Sequence, residues 1–387
     1  MIRILSAHTS EIDDVQAAVA GITAQLDAGQ RTLKNSVGLV SCYAEFVESG
    51  VVAALAGALP FPIAGITTIA AASNSGQGEM LLFLTVLSSD DVEFVLGITD
   101  PISGEDEAPL RAAWKKTGAG RPDKAALMLS FCPLLFNVSG DFIVDAWSAI
   151  TGNVPNFGTL AVDHNRDYHE ARTILNGEAY RDRYVFVLLY GSIEPRFFIA
   201  GIREEKAFRE KGVVTASQGN QLQGVNGISV ADYLSGLGLA RDEEGKIKGI
   251  NAYPFILDYN DGTQPVIRVM FAVTPGGSAV CGGKIPVGAT LTVGIIDGDE
   301  VLATSAAILN RAAAAADAEK GALIFSCIGR FLSQGYESAR EMEKARETLE
   351  KIPFHLCYSG GELCPVYGRD GTLTNRSHND TMVICVL

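Results

Sequence analysis

Two stretches decide the fold: Lys124-Ala-Ala-Leu-Met-Leu-Ser-Phe-Cys132 and Lys320-Gly-Ala-Leu-Ile-Phe-Ser-Cys327. Each reads as an apolar strand that ends at a cysteine. A helix-length segment follows each, and then a proline ahead of a phenylalanine-bearing strand, Pro155-Asn-Phe157 in one case and Pro353-Phe354 in the other. The lysine and the proline are 31 residues apart in the first copy and 33 in the second. Both copies then cross a glycine-containing loop and finish in a strand, Val185 to Tyr190 or Thr381 to Leu387. Upstream, the strand Met80 to Leu87 followed by Asp90-Asp91 matches Leu291 to Ile296 followed by Asp297-Gly-Asp299. Self-similarity of this kind marks a duplicated supersecondary unit. The expectation is an α+β fold of two related lobes, with mixed β-sheets flanked by helices and a pseudo-symmetric groove between the lobes. The charge run at residues 203–212 marks the boundary, giving domains at 1–210 and 211–387, and it reads as a solvated helix face or linker.

Working outward, residues Ile2 to Ala7 read as a strand. Ile12, Val15, Val19, Ile22 and Leu26 lie near helical spacing, and Val37 to Cys42 is a second strand. From Val51 to Gly78 no residue is charged, a length that could span a bilayer. Pro60 and Pro62 interrupt it, so it reads as a helix ending near Leu59 and then a buried strand. The helix from Glu337 to Lys351 carries Glu337 with Arg340, Glu341 with Lys344 and Glu343 with Arg346 three residues apart, an exposed face of paired charges.

Of the 387 residues, 47% are hydrophobic and 20% charged, a balance that supports a sizeable core and excludes long disorder. The net charge of -14 divides into -9 up to Gly212 and -5 beyond it. Acidity in both halves argues against nucleic acid or an anionic membrane surface as the main partner. Seven cysteines are too few and too irregular for a secreted disulfide framework. The first fourteen residues include Arg3, His8, Glu11 and Asp13 and lack the apolar core of a signal peptide. A cytoplasmic chain with reduced thiols is expected.

Catalytic and cofactor motifs are sparse. Gly276-Gly277 and Gly282-Gly283-Lys284 lack phosphate-loop spacing and read as turns, and the Gly219 to Gly227 segment reads as a hairpin followed by a helix. His164 and His169 are five apart, a poor spacing for two metal ligands on one helix face, and no metal site is expected. Haem needs only one axial histidine, so His8, His164, His169, His355 and His378 leave it open as a cofactor. Cys327 stands where a strand turns into a helix beside Arg330, which suits either a reactive thiol or a small buried hydrophobe. Tyr358-Ser-Gly-Gly-Glu362 and His378-Asn-Asp-Thr381 bring acid-base groups to loops before the last strand, where such residues also make turns.

The C-terminal half resembles the FIST family, named for F-box and intracellular signal transduction proteins. The resemblance rests on Gly212-Val-Val-Thr-Ala-Ser-Gln-Gly-Asn220, Asn226-Gly227 with Ala231 and Tyr233, and Phe325-Ser-Cys-Ile-Gly-Arg330. It continues through Tyr358, Gly361-Glu362, Pro365 and His378-Asn-Asp-Thr381. The N-terminal half is similar to the partner domain through Ala64-Gly-Ile-Thr-Thr68, Gly158, Asp163 and the Asn176-Gly177 turn, with Ala71 and Thr159-Leu160 departing from its glycine-rich pattern. The resemblance implies a cytoplasmic sensor that binds a small, amino-acid-like ligand and acts through a separate output protein such as a histidine kinase. The expected contacts are Thr67, Thr68, Asp163, Arg330, Tyr358, Glu362, His378 and Asn379, with Arg330 facing a ligand carboxylate and Glu362 or Asp163 an amine. A haem-based gas sensor, a Cys327-dependent hydrolase or transferase, and an interaction scaffold without a ligand are the alternatives.

Overall fold

The computed structural model describes residues 1–118, 121, 123–165, 167–239, 241–316 and 320–387. Its first unit runs β1 (Arg3–Thr9), α1 (Val15–Leu26), α2 (Ala28–Arg31), β2 (Asn35–Cys42), α3 (Glu45–Glu48), α4 (Val51–Ala58), β3 (Ile63–Thr67), the hairpin β4 (Ala70–Ser73) and β5 (Gly76–Glu79), and β6 (Leu82–Ser89). The second repeats this order with β7 (Glu93–Ile98), α5 (Ala108–Thr117), β8 (Leu127–Cys132), α6 (Gly140–Thr151), β9 (Asn156–Leu160), β10 (Thr173–Leu175), β11 (Glu178–Tyr180) and β12 (Val185–Tyr190). The third begins with β13 (Arg196–Ile199) and is interrupted by an inserted module. That module comprises β14 (Ala207–Gln218), β15 (Gln221–Val225), β16 (Ile228–Ser229), α7 (Val230–Gly236), β17 (Phe255–Asp258), β18 (Val266–Arg268), β19 (Met270–Val273), β20 (Ala279–Cys281) and β21 (Thr290–Gly294). The third unit then resumes with α8 (Gly298–Ala315), β22 (Ala322–Cys327), α9 (Ile328–Ser333), α10 (Arg340–Thr348), β23 (Phe354–Ser359), β24 (Glu362–Tyr367), β25 (Leu373–His378) and β26 (Met382–Val386).

The α+β class with mixed sheets holds, and the duplicated stretches are β8 to β12 and β22 to β26. Topology adds an earlier copy, β2 to β6. In each unit two strands run parallel (β2 with β3, β8 with β9, β22 with β23), and the closing strand lies antiparallel to the first of them. The hairpin strands cross over: β4 joins β23, β10 joins β3 and β24 joins β9, so each sheet borrows an edge from its neighbour. The shared details are chemical. The first parallel strand ends at Cys42, Cys132 or Cys327, and the carbonyl of Pro62, Pro155 or Pro353 accepts from the N–H of Gly38, Met128 or Ala322, at 2.9 Å each time. The upstream match does not belong to the repeat, because β21 pairs with β14 and β17 in the inserted module whereas β6 closes the first unit.

The three sheets turn their inner faces on one core, in which Leu39, Phe83, Leu129, Phe157, Phe325 and Val383 meet, and Phe157 stacks on Phe325 at 4.9 Å. Helices cover each outer face: α1 and α4 by Ile22 and Leu55, α5 and α6 by Leu110 and Trp147, α8 and α10 by Leu309 and Met342. Burial on both faces explains why these strands read as unbroken apolar runs. The uncharged stretch resolves into α4, β3 and the β4–β5 hairpin, and among the described residues no helix is long and apolar enough to cross a membrane.

The inserted module has its own core around Leu222, Phe255, Leu257 and Leu291. The charge run that leads into it is a short 3-10 turn followed by β14, where a helix face or linker was the expectation. Two of its four cations are claimed by the start of α8, Arg203 Nε donating to the buried Glu300 at 2.7 Å and Lys206 pairing with Asp297 at 2.6 Å, while Arg209 and Lys211 are exposed on β14. A buried ion pair ties the module to the second unit. Arg268 donates to Asp141 Oδ1 (2.7 Å), to the Ser377 carbonyl (2.8 Å) and to Tyr259 (2.9 Å), while Asp141 Oδ2 accepts from the Lys284 N–H (2.7 Å). Glu337, in the 3-10 turn ahead of α10, pairs with Arg340 as expected, but Glu341 turns inward and is fully buried, while Lys344 pairs with Glu347 instead.

Candidate functional site

A cavity of about 920 Å³ opens where units two and three meet, with the inserted module as its third wall. Unit two contributes the loop after β8, from Leu134 to Gly140, and unit three contributes Cys327 and α9. Turns at Gly360-Gly361 and Asn379-Asp380 complete the floor, and the module supplies residues 249–252, Val269, Phe271 and the Cys281 to Lys284 turn. Its size is that of a small-molecule site. Three of the chain's exposed large hydrophobic side chains stand on it: Phe136, Leu332 and Phe271, at 84%, 64% and 57% exposure.

The floor is polar and under-satisfied. Asn379 donates through Nδ2 to the His378 carbonyl (3.0 Å), and its Oδ1, buried beside Gly282, has no partner. Asp380, with φ of 51°, sits in the left-handed region, and its Oδ2 also has no partner. Both residues are more than nine-tenths buried. Burial pushes the Asp380 carboxyl up to about 7, with the Arg330 guanidinium pulling the other way. Two glycines make this floor possible: a Cβ at Gly329 would lie 2.1 Å from Asp380 Oδ1, and one at Gly282 would lie 2.4 Å from Asn379 Oδ1.

Cys327 shares the corner. Burial, then the nearby Glu362 and Asp380 carboxyls, drive its thiol well above the ordinary range, so it stays protonated at neutral pH. Glu362 accepts from Thr381 Oγ1 at 2.7 Å and leaves Oε1 unpartnered, and burial with Asp380 beside it raises its carboxyl well above the carboxylate range. His378 directs Nε2 at the Cys364 carbonyl (3.1 Å), and burial lowers it to about 3. A protonated thiol in this corner is a hydrogen-bonding group, and the nucleophile reading of Cys327 gains no support from it.

Of the eight residues expected as contacts, Asn379 lines the cavity. Glu362 and His378 lie behind it on β24 and β25. Arg330 is buried and outside the cavity lining, donating through Nε and Nη2 to Glu341 Oε1 (3.0 and 2.8 Å) and through Nη2 to Ser305 Oγ (2.7 Å) and the Val301 carbonyl (3.0 Å). Tyr358 is in the core, edge-on to Phe331 at 4.8 Å, with its hydroxyl unpartnered. Thr67 accepts from the Arg172 N–H (2.8 Å) and Thr68 donates to the Tyr358 carbonyl (2.8 Å), so both brace strand ends. Asp163 caps its own loop, accepting from the Asn165 and Glu170 N–H groups. Sequence reading left Asp380 out of the expected contacts and took Gly282-Gly283 as a turn without a role in the site; the visible signal was Asp380 inside the His378-Asn-Asp-Thr381 string.

None of the five imidazoles lines the cavity. His355 bridges Ser41 (2.9 Å) and Thr85 (3.0 Å) in the core, His8 bonds Ser75 (3.2 Å), His164 stacks on Tyr43 (4.8 Å) and His169 meets Asp167 (2.7 Å). The residues present therefore do not fit a histidine-ligated haem there. Among the described residues no group of three or more His, Cys, Asp or Glu side chains could hold a metal ion.

Fold and site together define an α+β protein of three strand-exchanged units with an inserted β-module that walls a small-molecule-sized cavity. The FIST N domain matches residues 36–228 and the FIST C domain residues 230–365, and the chain belongs to the FIST family, whose domains are associated with sensing in signal transduction. Among solved structures it is similar to cyanuric acid hydrolase from A. caulinodans, at 10% identity over 100% of this chain and 99% of that one, with a TM-score of 0.37. T. maritima PurL complexed with ATP gives 11% identity over 100% and 71% of the two chains, with a TM-score of 0.20. Neither score carries an argument about this protein. Comparison with curated proteins gives no match.

Proposed function

We propose that the protein is a cytoplasmic small-ligand sensor that holds its ligand in this cavity and passes the bound state to a separate output protein, such as a histidine kinase. The observation that carries the proposal is the pair of buried, unpartnered acceptors, Asn379 Oδ1 and Asp380 Oδ2, on the floor of a cavity of about 920 Å³. An unsatisfied buried acceptor costs about 1–3 kcal/mol, so a ligand that donates to both gives a physical reason to keep them. The ammonium of an amino-acid-like ligand is such a donor. Because the walls come from two units and the module, a ligand that touches all three favours one arrangement of them over others, which is how binding alters a partner surface. Seven free, buried thiols support a reducing compartment.

The test is a thermal-shift screen of amino acids, amines and organic acids on the wild type and on Ser333→Trp, which fills the cavity from α9. At least one compound stabilising the wild type and leaving the variant unmoved supports the proposal. A screen in which nothing stabilises the wild type, or in which both proteins respond alike, overturns it.

A further inference from the structure

Among the described residues that line the cavity, Lys284 is the one basic side chain, and its ammonium is already paired with Asp145 at 3.0 Å. Arg268 lies close behind the wall, where a Cβ on Gly283 would come within 2.8 Å of its Nε, but its donors are taken by Asp141, Tyr259 and the Ser377 carbonyl. Among the described lining residues a ligand carboxylate thus finds no free cation. A ligand cation finds two buried oxygens without donors, one of them a carboxyl. Apolar side chains make up much of the remaining lining, with Leu160, Ile250 and Val269 inside and Phe136, Phe271 and Leu332 exposed, alongside polar Glu105, Asn137, Asn220 and Asn251. Unpartnered acceptors thus lie on the floor, and exposed apolar side chains stand on the same cavity.

We infer that the site selects a protonated amine carried on an apolar body, with the nitrogen donating to Asn379 Oδ1 and Asp380 Oδ2 and the body lying toward Phe271 and Leu332, and that it discriminates against the carboxylate of an amino acid. This inference rests on the cavity being the ligand site. An amine arriving at Asp380 brings the counter-charge that the buried carboxyl lacks, and each additional charge-assisted hydrogen bond exceeds a neutral one in strength. A carboxylate in the same place meets two acceptors and a second acid, a repulsive arrangement of the kind that produces specificity.

Three probes that share a phenethyl unit separate the terms: phenethylamine, phenylalanine and 3-phenylpropionate, titrated calorimetrically into the full-length protein at pH 7.5. The expected order is phenethylamine at least tenfold tighter than phenylalanine, with no binding of 3-phenylpropionate. Asp380→Asn removes the charge while keeping an acceptor, and it should weaken phenethylamine at least tenfold. Leu332→Ser, a change at an exposed position, should weaken it severalfold without altering the order. Phenylalanine or 3-phenylpropionate binding as tightly as the amine, in a manner blocked by Ser333→Trp, overturns the amine selectivity and leaves the cavity as the ligand site. Binding by none of the three overturns the inference, and an empty wider screen removes the site with it.

Discussion

Replacing Asp380 with Asn should make the protein more stable above neutral pH, and by an amount that depends on pH. The folded chain holds the Asp380 proton up to about pH 7, against an ordinary value of 3.8, because the carboxyl is buried. Between those values the folded state binds a proton that the unfolded chain has released. The carboxyl's contribution is therefore most favourable below about pH 4, declines as pH rises through the window, and is lost above the folded value. About three pH units at 1.36 kcal/mol each give a penalty on the order of 4 kcal/mol at pH 8. Asn removes the titration. It also suits the backbone, since φ of 51° is a conformation that asparagine adopts readily. Urea unfolding of both proteins from pH 4 to pH 8 reads the effect. The variant should match the wild type near pH 4 and exceed it by at least about 1.5 kcal/mol at pH 8, a conservative fraction of the full penalty. A variant less stable than the wild type at pH 8, or a difference that does not change with pH, refutes the reasoning. A gain in stability paired with loss of amine binding would be the usual trade between a strained site and its function.

The other predictions concern the supports of the site. Asp141→Ala leaves Arg268 buried without its carboxylate and should cost about 3–5 kcal/mol in urea unfolding; a loss under about 1 kcal/mol would mean that the module is held by other contacts. Arg330→Lys keeps the charge and loses the fork onto Glu341, Ser305 and Val301, so it should lower stability by about 2–4 kcal/mol while leaving probe affinity within about twofold. Loss of binding with stability intact would instead make Arg330 a ligand contact. The Cys327 thiol, held well above its ordinary range by burial, should alkylate with iodoacetamide at pH 7.5 more than about tenfold slower than free cysteine. Rapid, selective modification at Cys327 would revive the enzyme reading.

The parts of the fold legible in sequence were those where burial writes a plain pattern. Strands β8 and β22 are enclosed on both faces and so appear as continuous apolar runs, each closed by Ser, Cys and a downstream proline. The first unit carries the same marks in Ser41-Cys42 and Pro62, but its helix α4 is short and uncharged and Pro60 precedes Pro62, which hides the spacing. Strand exchange is not written in local pattern at all, because β4, β10 and β24 look like ordinary hairpin strands and their partners lie in another unit. Asn379 was legible as a polar residue at a strand end. Arg330 looked like a carboxylate receptor because its partner Glu341, eleven residues away, sat in a helix whose charges all read as solvent-facing. Asp380 and Gly282 acquire meaning only when chain segments about a hundred residues apart close on one another, a juxtaposition the inserted module creates.

The central claim is that ligand binds at the junction of units two and three and the inserted module. Hydrogen-deuterium exchange of the full-length protein, with and without saturating phenethylamine or the strongest stabiliser from the screen, tests it directly. The account predicts slowed exchange at residues 134–140, 249–252, 281–284, 327–333 and 379–380, with the outer helices α1 and α4 unchanged. Protection centred elsewhere, with these five segments unaffected, would contradict it.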